Sequence, residues 1–169
     1  MASEDTKKNP IVIVEGVDCS GKSTLIKKLM DRHQNNVYIH NAVADDIHKL
    51  HYDSIEAARL ASKTHWVFID RLHLSEKVYG TVFRNGPSYN IDELDTYINS
   101  NENVKKILCI IDKEDVLKLH ASRKDQEMFD DVSKVYDMYT EADSTWTRYN
   151  WKTDNIDLDT LEVAKKETT

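Results

Sequence analysis

The sequence predicts an α/β domain of three layers, with helices on both faces of a central parallel sheet. Three observations carry that expectation. Short β-branched apolar runs alternate with amphipathic stretches of helix length along the chain, the order that builds parallel strands joined by right-handed helical crossovers. The first run, "PIVIVE" at residues 10–15, is apolar at consecutive positions, as a strand covered on both faces must be. The length of 169 residues, with 40% hydrophobic and 31% charged side chains, suits one core of ordinary size.

In chain order, residues 1–9 are polar, lack the apolar centre of a secretory signal, and read as a disordered lead-in to one domain over residues 10–169. After the first strand comes "GVDCSGKS" (16–23). Residues 22–33 then place Leu25, Ile26, Leu29 and Met30 at helical spacing. "NVYIH" (36–40) is a second strand, and 53–63 a helix opening on the capping residues Asp53 and Ser54. "HWVFID" (65–70) is a strand ending on a carboxylate. "FRNGPSYN", around Gly86 and Pro87, is a turn. A helix over 91–100, a strand over 104–112 and a helix over 113–124 follow. From Phe129 onward Val132, Val135, Tyr136 and Tyr139 share one helix face, and 146–151 forms a late strand.

Composition narrows the function classes. No apolar run approaches the ~18 residues of a membrane span, so no membrane partner is expected. The two cysteines, Cys19 and Cys109, lie in unlike settings rather than in a disulfide framework, which points to a reducing, cytoplasmic location. A net charge of −7 argues against a protein that coats nucleic acid, because that affinity comes from Lys and Arg on phosphates. A local basic groove stays open.

Two of the four glycines, Gly16 and Gly21, stand five apart with Lys22 and Ser23 directly after. G-x-x-x-x-G-K-S is the Walker A pattern: the loop turns its backbone N–H groups toward a phosphate, the Lys reaches the outer phosphates and the Ser hydroxyl binds Mg²⁺. The following helix aims its N-terminus at the same anion. Gly16, Val17, Asp18, Cys19, Ser20, Gly21, Lys22, Ser23 and Thr24 are therefore the expected nucleotide-binding residues.

The wider stretch "EGVDCSGKST" (15–24) resembles the P-loop of thymidylate kinase-like enzymes, with the Asp inside the loop as the distinguishing letter. "DRLHLSEKVYG" (70–80) is similar to the Asp-Arg motif of that family, and a weaker similarity runs from "IIDKEDVLKLHASRKD" to "VYDMY". The resemblance implies a P-loop nucleotide kinase fold, with ATP and Mg²⁺ as cofactors and a deoxynucleoside monophosphate such as dTMP as acceptor. Lys22 would neutralise the outer phosphates, and Ser23 and Asp70 would hold the metal. Arg71 would clamp the acceptor, Asp18 would face its sugar, and Arg123, helped by Lys124, would be the lid cation. Asp70 would serve as a base only for a hydroxyl acceptor, since a phosphate needs none. Family members often dimerise through helices; a homodimer stays open, although no apolar stripe demands one.

The chain also departs from the family. Where members carry Arg-Glu-Pro after the second strand, it reads "IHNAVADD" (39–46), the stretch from Ser23 to Asp70 is shorter than in members, and the lid region offers just Arg123 and Lys124. Short P-loop kinases of this kind look most like those of bacteriophages. Two alternatives follow: a kinase acting on 5-hydroxymethyluracil within DNA, with a basic channel near Arg71, Arg84, Arg123 and Arg148, or a nucleotide-binding regulator without transfer chemistry. Of the other polar residues, Asp112 reads as a helix cap, and His48 and His51 as solvated helix positions rather than a metal pair. Tyr79, Phe83 and Tyr89 either stack on a base or fill the core. Cys19 is a spacer whose thiol, beside a helix N-terminus, is open to a lowered pKa.

Overall fold

In a computed structural model, which describes residues 7–123 and 129–168, strand β1 (Ile11–Glu15) leads through the glycine loop into helix α1 (Lys22–Arg32). Then come β2 (Asn36–His40), α2 (Ile47–Ala61), β3 (Trp66–Asp70), α3 (His73–Phe83), α4 (Ile91–Asn99), β4 (Val104–Cys109), α5 (Lys113–Ala121), α6 (Phe129–Thr140), β5 (Thr147–Tyr149), β6 (Asp154–Ile156) and β7 (Val163–Lys165). Five strands form one sheet in the order β2-β3-β1-β4-β5, and every pairing in it is parallel. The expected α/β three-layer architecture is present.

β1 shows how the layers arise. Its side chains alternate between faces: Ile11 and Ile13 join a core with Ile55 of α2, Val78 of α3, Leu94 of α4 and Val116 of α5. Val12 and Val14 join a second core with Leu25, Ile26 and Leu29 of α1 and with Leu161 before β7. Both faces are dry, which is why "IVIV" shows no polar alternation.

Several boundaries differ from the sequence reading. α2 starts at Ile47, capped by Asp46, whose side chain accepts from the Lys49 amide at 3.0 Å. Asp53 instead pairs with Lys49 one turn away, and the Ser54 hydroxyl turns back onto the Leu50 carbonyl. α3 was not predicted, because its N-cap position is Leu72, which has no capping side chain. β4 ends at Cys109, short of Asp112, which occupies the N-cap of α5 without a capping side-chain bond. β6 and β7 form an antiparallel pair absent from the sequence reading; three-residue strands carry too little periodicity to register. At the amino end, Asn9 is tied down: its amide donates to the Ser62 carbonyl at 2.8 Å and its carbonyl accepts from Asn103 at 3.0 Å.

Candidate active site

The glycine loop joins β1 to α1 and leaves no room for side chains at two places. At Gly16, φ is 151° and a Cβ would stand 2.4 Å from the Cys109 carbonyl and 2.7 Å from Ser20 Oγ. At Gly21, φ is 90° and a Cβ would meet Trp151 Cδ1 at 2.5 Å. Gly21 is also the N-cap of α1 and offers no side chain to the first turn, so those amides stay free for an anion. Ser20 is buried with its Oγ unpartnered. Between the loop and the C-terminal strands lies a cavity of about 700 Å³, lined by residues 17–24, by Arg123 at the end of α5, and by Trp151, Asn155 and Lys166. Trp151 is fixed over Gly21 in part by Lys166, whose ammonium donates to the Trp151 carbonyl at 2.7 Å. Sequence reasoning missed Trp151, which lies far along the chain from the loop it covers.

Lys22 is only 8% exposed, and its Nζ reaches Asp70 Oδ1 at 2.6 Å. Strand register makes this contact: Val14, near the end of β1, pairs with Asp70 at the end of β3, so the loop and the second motif leave the sheet side by side. The other carboxylate oxygen of Asp70 accepts from Tyr38 Oη at 2.8 Å and lies 3.1 Å from His40 Nδ1. Burial pushes the Asp70 carboxyl up, but the Lys22, Tyr38 and His40 hydrogen bonds, with the Lys22 charge, outweigh it and hold the group below its ordinary value. Burial and the bond to Asp70 raise the Tyr38 phenol to about 12. Tyr38 and His40 stand two apart on β2, hence on one side of the sheet, and His40 pairs with Asp70 in the register. Neither was singled out from the sequence; two polar side chains at i and i+2 closing a strand was the available signal.

Arg71 follows with φ at +69°, a conformation a non-glycine residue adopts only when its surroundings impose it. Its amide donates to the Val14 carbonyl at 3.1 Å, and its carbonyl accepts from Asn41 at 2.7 Å. The guanidinium donates to Asp18 Oδ1 at 2.6 Å and to Tyr139 Oη at 3.3 Å, and lies 5.6 Å from the centre of the Tyr79 ring. Burial disfavours its charge, but Tyr139, Tyr79, Glu15 and Asp18 more than compensate.

Other candidates fall elsewhere. Tyr79 stacks on Phe83 beside Arg71, whereas Tyr89 packs on His48 and bonds to His51. His51 is buried rather than solvated; burial lowers its pKa to about 4, against the pull of Glu76. The Cys19 thiol is raised, not lowered: burial dominates, although Arg123 opposes it. Arg84 is held by Glu76, and Arg148 by the Thr140 and Ala142 carbonyls. Lys124 lies outside the described residues.

A metal has a fitting place. Ser23 and Asp70 border one cavity of about 290 Å³ with Tyr38 and present the hard oxygen donors Mg²⁺ prefers. Among the described residues no group of three or more His, Cys, Asp or Glu could hold an ion.

No family model and no curated protein matches the sequence. Solved structures do resemble it. YorR from Bacillus subtilis, in complex with phosphorylated GDP, superposes with a TM-score of 0.67 at 22% identity, over 83% of this chain and 84% of that one. Thymidylate kinase from Candida albicans gives 0.51 at 17%, over 84% and 83%. Polyphosphate kinase 2 from Arthrobacter aurescens gives 0.56 at 15%, over 86% and 62%. The fold is that of the P-loop kinases.

Proposed function

We propose that the protein is a phosphotransferase that moves the γ-phosphoryl group of ATP to a deoxynucleoside monophosphate, with dTMP as the first candidate. The observation that carries this reading is the meeting of the two motifs: Lys22 of the glycine loop bonds Asp70, and Arg71, the next residue, bonds Asp18 of the same loop. A phosphate cradle and a guanidinium suited to a second phosphate thus lie side by side at the carboxyl ends of β1 and β3, where ligands of parallel sheets bind.

Phosphoryl transfer asks mainly for positioning and charge neutralisation. The free amides of the glycine loop and of the first turn of α1, with the Lys22 ammonium, bind the donor phosphates, Lys22 exchanging Asp70 for phosphate oxygen. The donor base has the Trp151 ring beside the loop as its apolar wall. Ser23 and Asp70 would hold Mg²⁺, which would supply further neutralisation of the phosphate charge. Arg71 grips the acceptor phosphate as a planar fork, and Arg123 contributes positive charge from the cavity wall.

One observation favours a second reading, transfer to a hydroxyl such as that of 5-hydroxymethyluracil in DNA. His40 Nδ1 at Asp70 leaves Nε2 turned away from the carboxylate, an orientation in which a ring nitrogen can accept from a hydroxyl. Transfer from γ-labelled ATP to a panel of deoxynucleosides, deoxynucleoside monophosphates, and DNA with normal or hydroxymethylated pyrimidines tests both. Label on a monophosphate supports the first reading, and label on DNA alone replaces it with the second. ATP binding without transfer to any acceptor would leave a nucleotide-binding regulator.

A further inference from the structure

Arg71 has two polar side-chain partners of opposite character. Asp18, on Nη2, has a side chain that is 54% exposed and is free to exchange with a ligand. Tyr139, on Nη1, is 1% exposed and reaches Arg71 from α6, a helix that supplies neither motif. What lies behind Tyr139 decides its role. Its Oη is 2.9 Å from Ser75 Oγ. The Ser75 hydroxyl in turn donates to Glu15 Oε2, while Glu15 Oε1 accepts from the amides of Leu72 at 2.7 Å and Ser75 at 3.0 Å. Glu15 is wholly buried at the end of β1.

Counting protons orients this chain. The Ser75 hydroxyl gives its one proton to Glu15 Oε2, which accepts it. Tyr139 must then donate its own proton to Ser75, which leaves its lone pairs for the Arg71 N–H. A guanidinium only donates, so every link is matched from Arg71 to Tyr139, Ser75 and Glu15. The opposite orientation would aim two donors at each other at the Arg71 end. Burial, the largest influence, keeps the Tyr139 phenol protonated by raising it well above its ordinary value.

We propose that Glu15, Ser75 and Tyr139 are positioning residues that hold one nitrogen of Arg71 in place, so that an acceptor phosphate replaces Asp18 on the other nitrogen without the clamp having to reorganise. The Glu at the head of the glycine loop thereby caps α3 in place of a residue of that helix and sets the direction of the hydrogen bonds behind the acceptor clamp. The inference rests on the monophosphate reading for its ligand but not for its geometry.

Two variants break the chain at nearly constant shape. Tyr139→Phe removes the link to Arg71. Glu15→Gln keeps an acceptor for the two amides but puts a donor before Ser75, which reverses the chain. With ATP and dTMP, each is expected to raise the dTMP KM roughly tenfold, the scale of one hydrogen bond to a charged group, while the ATP KM stays unchanged. The double variant should equal the larger single effect, because both act on one chain. Equal effects on the two KM values, multiplying effects, or no effect would overturn the inference. If Glu15→Gln does not fold, Ser75→Ala takes its place in the cycle. Side-chain ¹⁵N exchange at Arg71 needs no acceptor: the guanidinium should rotate slowly in the native chain and faster in each variant. Native protein that ignores every monophosphate while Arg71 responds as stated would defeat the monophosphate reading alone. Native protein that phosphorylates dTMP, with Arg71 and the dTMP KM indifferent to the variants, would defeat this inference alone.

Discussion

Lys22 and Asp70 form a buried ion pair, with side chains 9% and 6% exposed. Such a pair is held by its partners more than by its net worth, because removing one charge strands the other. Here Asp70 keeps Tyr38 and His40 when Lys22 leaves, so the lysine can move to a phosphate at modest cost. Lys22→Ala is accordingly expected to lower transfer by about 10²–10³-fold, the scale of losing a preorganised charge from the transition state. Circular dichroism should still report a folded protein; normal turnover by the folded variant would remove Lys22 from the chemistry. The lysine, its serine and both loop glycines were readable in sequence because contiguous spacing carries them. His40 and Tyr38 were not, since only the β2–β3 register brings them to Asp70.

At the scale of elements, the loop and the C-terminal strands act on each other through one residue pair. Gly21→Ala forces a side chain onto Trp151 at a positive φ. It should destabilise the protein by about 1–2 kcal/mol and weaken ATP binding, both measurable by denaturant titration with and without nucleotide. α2 provides a pH test. His51 is lowered to about 4 by burial, so the unfolded chain binds more protons between pH 6.5 and 4. Stability is fully present above 6.5 and falls with pH across that window, by up to about 3 kcal/mol. His51→Gln should flatten this limb of the stability curve; an unchanged limb would assign it to other groups. The start of α2 is displaced from the expected Asp53 because Asp46, one more capping residue upstream, closes the helix locally; α3 escaped the sequence reading for another reason. Capping signals assume a local side chain, whereas α3 is capped from β1 by Glu15.

At the scale of the whole molecule, the net charge of −7 bears on the choice of acceptor. Arg84 and Arg148, two of the cations a DNA channel would have used, are engaged within the chain. Transfer to a monophosphate should change little between about 50 and 200 mM salt, whereas transfer to DNA would fall steeply as counterion release weakens; rate measurements across that range separate them. No described helix is long and apolar enough to cross a membrane. By itself the sequence determined the layers and the anion cradle, because hydrophobic periodicity and glycine spacing act between near neighbours along the chain. Only the tertiary structure decided what faces that cradle. Parallel strands far apart in sequence end side by side, which places Asp70 on Lys22, while the turn after β5 sets Trp151 over Gly21 and helix α6 brings Tyr139 behind Arg71.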